Sequence, residues 1–115
     1  MHRERDFQAA PQSVTAVRRF VRDTLTARAI VDDVVLVASE LAANAVRHAH
    51  TAFTVKLIFN GGVRMEVSDG SARLPSVADP GESFRGLRLV GATSEDWGFD
   101  LTDHGKTVWV EFARA

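Results

Sequence analysis

The chain has 115 residues, with 14 Lys and Arg against 15 Asp and Glu, no cysteine and a formal charge of −1. That length suits one domain with an ordinary core, and the lack of cysteine excludes a disulfide framework and any thiolate metal site. The balanced charge gives no global field toward DNA or an anionic membrane, so direct nucleic-acid or membrane binding is not expected.

Met1 to Asp6 is charged rather than apolar, and residues 1–9 carry no sustained period, so they are expected to form a flexible lead-in. No apolar run approaches the roughly 20 residues that a bilayer span needs, which implies a cytoplasmic protein. No repeat or linker divides the chain, so a single domain over 1–115 is expected. After Pro11, suited to a first helical position, Val14, Val17, Val21 and Leu25 recur at spacings of three and four, with Arg18, Arg19 and Arg22 between them. This predicts an amphipathic helix. A second helix is predicted from Asp32 to about Ala49, opened by two acids and rich in Ala, Leu and Val.

Phe53, Val55, Leu57 and Phe59 alternate with intervening residues, Asn60-Gly61-Gly62 interrupts, and Val63, Met65 and Val67 alternate again, which predicts a β-hairpin. From Gly70 to Glu82 no period is sustained, so a long loop of the kind that often serves binding is expected, with a short helix around Leu87, Leu89 and Val90. Trp97, Phe99 and Leu101, the turn Asp103-His104-Gly105, and Val108, Val110 and Phe112 predict a closing hairpin. The order is helix, helix, strand, strand, short helix, strand, strand. It implies a two-layer α/β (α+β) sandwich with helices on one face of a mixed, mostly antiparallel sheet.

On the second helix Glu40, Asn44 and His48 follow one another at spacings of four, among small apolar neighbours. Periodicity alone favours a solvated stripe; against it, a mid-helix Asn on an Ala-rich stretch suggests a side chain with a partner. A carboxamide oxygen is a hard ligand suited to Mg²⁺, and a carboxylate one turn away is placed to take a proton from an attacking hydroxyl or water. Asn44 and Glu40 are the candidates for those roles, and His48 receives none. Asp69-Gly70-Ser71 ends a strand, which is an ordinary turn start; functionally, the carboxylate can accept from an exocyclic amine such as that of adenine, and Gly70 lets backbone approach a flat ring. Arg85-Gly86-Leu87 opens the predicted short helix, where free N–H groups favour phosphate, although an ordinary loop-to-helix junction reads the same way.

Gly105-Lys106-Thr107 looks like the end of a P-loop, but Asp100 stands where the earlier Gly is required and the segment falls in a hairpin, so a P-loop is rejected. Neither an HExxH zinc helix nor a Gly-x-Ser-x-Gly elbow is present.

In order, Glu40-Leu41-Ala42-Ala43-Asn44-Ala45, Val67-Ser68-Asp69-Gly70-Ser71, Arg85-Gly86-Leu87-Arg88-Leu89-Val90 and Gly105-Lys106-Thr107-Val108-Trp109 resemble a known family over nearly the whole chain. It is the ATPase domain shared by histidine kinases, gyrase, Hsp90 and MutL, and within it the small bacterial anti-sigma-factor serine/threonine kinases of partner-switching systems. The resemblance implies a Bergerat-type sandwich that binds ATP and Mg²⁺. In it the Asn44 position binds the metal, Glu40 acts as base, Asp69 reads the adenine amine within the motif Asp69-Gly70-Ser71, Arg85, Gly86 and Leu87 line the phosphates, and Thr107 supports the adenine end. It also implies two partners, a STAS-type anti-anti-sigma protein phosphorylated on serine or threonine and a sigma factor that is sequestered. A homodimer is a further option, with the first helix and the exposed sheet edge as the surfaces available to it.

Ser71 stands where many members carry Gly, a mild change, and one departure from the family matters more. Gly is usual two residues before the Gly86 equivalent, and Phe84 stands there; a ring where backbone should approach phosphate implies an overpacking cost of about 1 to 3 kcal/mol. A non-enzymatic interaction module of the same fold, with a degenerate nucleotide site, is therefore the alternative to the kinase. A nucleotide hydrolase without a protein substrate is a third reading.

Overall fold

A computed structural model describes residues 1–25, 30–59, 61–71 and 96–112. Their elements are β1 (His2–Phe7), α1 (Gln12–Thr24), α2 (Val31–Asn44), a π-helical turn (Ala45–Ala49), β2 (Phe53–Phe59), β3 (Val63–Asp69), β4 (Asp96–Thr102) and β5 (Gly105–Phe112). The strands form one sheet in the order β1-β2-β3-β5-β4, and each neighbouring pair is antiparallel. The expected long loop beyond Ser71, the short helix around Leu87 and the position of Phe84 lie outside the described residues.

Both helices form where their apolar spacing predicts. Val17, Val21 and Leu25 of the first helical stripe are fully buried, and Pro11 stands just before the first helical residue. In α2, Asp32 and Asp33 occupy the first turn, where the helix dipole favours negative charge. The two helices are tied by Arg18 Nε, which donates to Ser39 Oγ at 2.8 Å, while that hydroxyl donates to the Val35 carbonyl at 2.7 Å. Together they cover one face of the sheet. The core between the layers takes Val34, Val37, Ala38 and Leu41 from α2, with Val55, Leu57, Met65, Val67 and Val110 from the strands.

The first strand corrects the sequence reading. Residues 1–9, expected as a flexible lead-in, contain β1, paired residue by residue with β2 from His2↔Ile58 to Phe7↔Phe53. Its pattern hid it, because His2 to Asp6 are all exposed and only Phe7 is buried, where its ring stacks on Phe53 at 5.5 Å. An edge strand can carry charge on both faces, since the backbone ladder alone binds it and charge guards the free edge. Strand alternation consequently says little at such a position.

The other sheet face is polar. Arg64 donates to Glu66 at 2.9 Å and to Glu111 at 3.1 Å, and its guanidinium lies 4.6 Å from the centre of the Trp109 ring. That ring packs over Gly98 so closely that a Cβ there would stand 2.6 Å from it. Gly98 is thus the residue that lets Trp109 lie flat across β4.

Candidate functional site

Alternation along β3 and β5 decides which side chains meet. Asp69 is the register partner of Lys106, and Ser68 that of Thr107. Because neighbouring residues on a strand point to opposite faces, these two pairs occupy opposite sides of the sheet. Asp69 and Lys106 are in phase with the buried Val67 and Val108, on the side of the helices. The Ser68 and Thr107 hydroxyls share a 2.8 Å hydrogen bond on the outer face, in phase with Glu66 and Trp109.

Thr107, expected to support the adenine end, therefore stands on the face of the sheet opposite the Asp69 side chain. The residue beside Asp69 is Lys106. Its Nζ donates to Asp69 Oδ1 at 3.0 Å, to Oδ2 at 2.9 Å and to the Ser71 carbonyl at 3.3 Å. The two side chains are 8% and 5% exposed, so the ion pair is buried. Sequence reading passed over Lys106 because it looked only for a P-loop lysine. The available signal was its phase: a lysine two residues before Val108 on a core-facing row must find a counter-charge.

The turn after β3 is built as the plain reading expects and holds the carboxylate as well. Ser71 N–H donates to Asp69 Oδ1 at 2.9 Å, and Gly70 N–H donates to Thr51 Oγ1 at 2.9 Å. Gly105, at the start of β5, passes so near this turn that a Cβ there would lie 1.9 Å from the Asp69 carbonyl oxygen and 2.8 Å from Gly70 Cα. Only a residue without a side chain fits. Asp69, Gly70, Ser71, Gly105 and Lys106 thus form one compact unit.

Asn44 is the last α-helical residue of α2 and is buried, at 9% exposure. Its Oδ1 has no hydrogen-bond partner among the described residues although solvent does not reach it. Immediately after it the helix widens into the π turn, where His50 N–H reaches the Ala45 carbonyl at 3.2 Å, and His50 itself takes a left-handed φ of 56°. Single π turns are common at functional sites. The spacing of four that related Glu40, Asn44 and His48 therefore keeps α-helical geometry only as far as Asn44. The turn leads through three residues to Phe53, which is the register partner of Asp69. By connectivity the end of α2 and the tip of β3 belong to the same end of the sandwich.

Glu40 is half-buried, and no hydrogen bond or ion pair of its carboxylate occurs among the described residues. It lines a groove of 460 Å³ between the helices, together with Pro11, Val14, Arg18, Ser39, Ala43, Val46 and Arg47. Neither Asn44 nor Asp69 lines that groove. Arg85, Gly86 and Leu87 lie outside the described residues. Among the described residues no cluster of three or more His, Cys, Asp or Glu side chains could cage a metal ion, and no helix is long and apolar enough to cross a membrane.

Comparisons with known proteins agree with this architecture. A solved structure of the RsbU and RsbW domains of Rv1364c from Mycobacterium tuberculosis superposes with a TM-score of 0.78 at 19% sequence identity. The match covers 98% of this chain and 32% of that one, so the chain spans about a third of that longer protein. Comparison with curated proteins gives no match. The family model described as histidine kinase-like ATPase domain matches residues 7–112. With nearly the whole chain inside that match, the protein belongs to the histidine kinase-like ATPase domain family.

Proposed function

We propose that the chain, as one domain over 1–115, binds Mg-ATP and acts as a protein serine/threonine kinase on a STAS-type antagonist, while sequestering a sigma factor. The observation that carries the reading is the buried Asn44 Oδ1, which has no partner among the described residues, one helical turn beyond the Glu40 carboxylate, which has none among them either. A solvent-inaccessible carboxamide oxygen without a partner costs about 1 to 3 kcal/mol, and a hard cation at that oxygen would remove the cost. Mg²⁺ suits such a site because it takes one or two protein oxygens and keeps waters and phosphates for the rest.

In this reading Asn44 holds the metal and Glu40 takes the proton of the attacking serine or threonine hydroxyl. Bound Mg-ATP supplies the phosphoryl group. Asp69 accepts from the adenine amine, and Arg85, Gly86 and Leu87 line the phosphates. The partner classes come from the resemblance of the four sequence motifs, and the shared fold of the structure containing the RsbW domain supports them.

The test is a pair of measurements. Calorimetry with ATP, with and without Mg²⁺, should show metal-dependent binding, and labelled ATP should mark a serine or threonine on a STAS partner. Glu40→Gln should keep binding and lose labelling. Phe84 favours the interaction module instead, and absence of ATP binding at millimolar concentration together with retained sigma-factor binding would establish that reading.

A further inference from the structure

Resting on the kinase reading above, we propose that the groove between α1 and α2 seats the acceptor segment of the protein substrate, and that Arg18 selects a segment with a carboxylate beside the hydroxyl to be phosphorylated.

Glu40 brings the acceptor to this groove. A base must come within hydrogen-bond reach of the proton it takes, so a hydroxyl served by Glu40 has to enter the 460 Å³ groove that Glu40 lines. The lining suits a peptide better than a nucleotide. Pro11, Val14, Ala43 and Val46 make it largely apolar, and Asn44, read above as the metal ligand, does not line it. Apolar side chains of an extended segment gain from burial there, whereas a triphosphate would lose water to hydrocarbon with no metal ligand at hand.

Charge then selects among peptides. The charged side chains lining the groove are Arg18, Arg47 and Glu40, a net of 2 − 1 = +1. Arg18 is the one held in a fixed orientation at the junction of the helices. Its Nε donates to Ser39 Oγ at 2.8 Å, and the buried Ser39 hydroxyl donates in turn to the Val35 carbonyl at 2.7 Å. Of the guanidinium donors only Nε–H is engaged among the described residues, so both Nη groups are available to a ligand. Arg18 and Glu40 share the groove without forming an ion pair, which leaves the arginine for the substrate and the carboxylate for the proton. A guanidinium fork matches a carboxylate through two parallel hydrogen bonds, and fixing its plane through Nε lowers the ordering cost of that match.

The experiment gives the full chain, with Mg-ATP, serine peptides in an alanine-glycine background, each with one aspartate at a different position beside the serine, and the same set with asparagine instead. The best aspartate peptide should be labelled with kcat/KM about tenfold above its asparagine counterpart, the scale of one charge-assisted pair. Arg18→Glu should reverse the choice, so that a lysine at that position is preferred to aspartate. A merely structural arginine would lower all peptides alike, so loss of packing or of fold cannot produce a reversal. Ser39→Ala, which releases the Nε anchor, should raise KM for the aspartate peptide about threefold while Mg-ATP affinity stays.

Equal labelling of the aspartate and asparagine peptides overturns the role of Arg18. A chain that labels a STAS partner but none of the peptides, or whose Arg18→Glu variant labels that partner at the wild-type rate, overturns the groove assignment and leaves the kinase reading standing. A chain that labels neither partner nor peptides overturns the kinase reading and this assignment with it.

Discussion

Lys106 Nζ stands 3.0 and 2.9 Å from the two carboxylate oxygens of Asp69, across neighbouring antiparallel strands and on the helix side of the sheet. Both side chains are nearly closed to solvent, which makes the pair costly to break from one side. Removing one partner of a buried pair leaves an uncompensated charge and typically costs about 3 to 5 kcal/mol. Lys106→Met is therefore expected to destabilise by about 3 kcal/mol. The double variant Asp69→Asn with Lys106→Met should recover most of the loss, because it buries no charge. Urea unfolding of the two single variants and the double variant measures the coupling; purely additive losses would contradict a mutual pairing.

Asn44 predicts the opposite balance of stability and function. Its Oδ1 accepts no hydrogen bond among the described residues, so Asn44→Ala should not destabilise the fold by more than about 1 kcal/mol. The same variant should lose the Mg²⁺-dependent part of ATP binding. Denaturation and calorimetry on one sample decide the matter, and a variant that binds Mg-ATP like wild type would remove Asn44 from the metal site.

Gly105 should tolerate no side chain. A Cβ at 1.9 Å from the Asp69 carbonyl oxygen collides with backbone rather than with a movable side-chain end. Gly105→Ala is expected to cost at least the upper part of the usual overpacking range, about 3 kcal/mol, and to shift the Asp69-Gly70-Ser71 turn. Gly70→Ala meets only the Thr51 side chain, at 3.3 Å and beyond, and should cost clearly less. Thermal unfolding of the two variants side by side checks the order.

Thr107→Val provides the control for the outer face. It removes the bond with Ser68 Oγ, with an expected cost of about 1 kcal/mol, and leaves nucleotide affinity where it was. Loss of ATP binding in this variant, with the fold intact by circular dichroism, would return Thr107 to the site.

Local pattern alone determined the helices, both hairpins and the candidate acid, amide and carboxylate of this protein. Spacings of three and four or of two express which face α1, α2, β2, β3 and β5 bury, and Val17, Val21, Val55, Met65 and Val110 are buried as those periods require, whereas Phe99 and Leu101 of β4 are exposed despite their alternation. The ordered motifs added the family, because their spacing along the chain reflects one arrangement of elements. Tertiary structure alone decided the rest. Strand β1 has almost no apolar signal, since an edge strand is held by its backbone ladder with β2. The end of the α-helical repeat at Asn44 depends on a π turn that residue spacing does not announce. The exchange of Thr107 for Lys106 beside Asp69 follows from register, because a shift of one residue along a strand moves a side chain to the other face of the sheet.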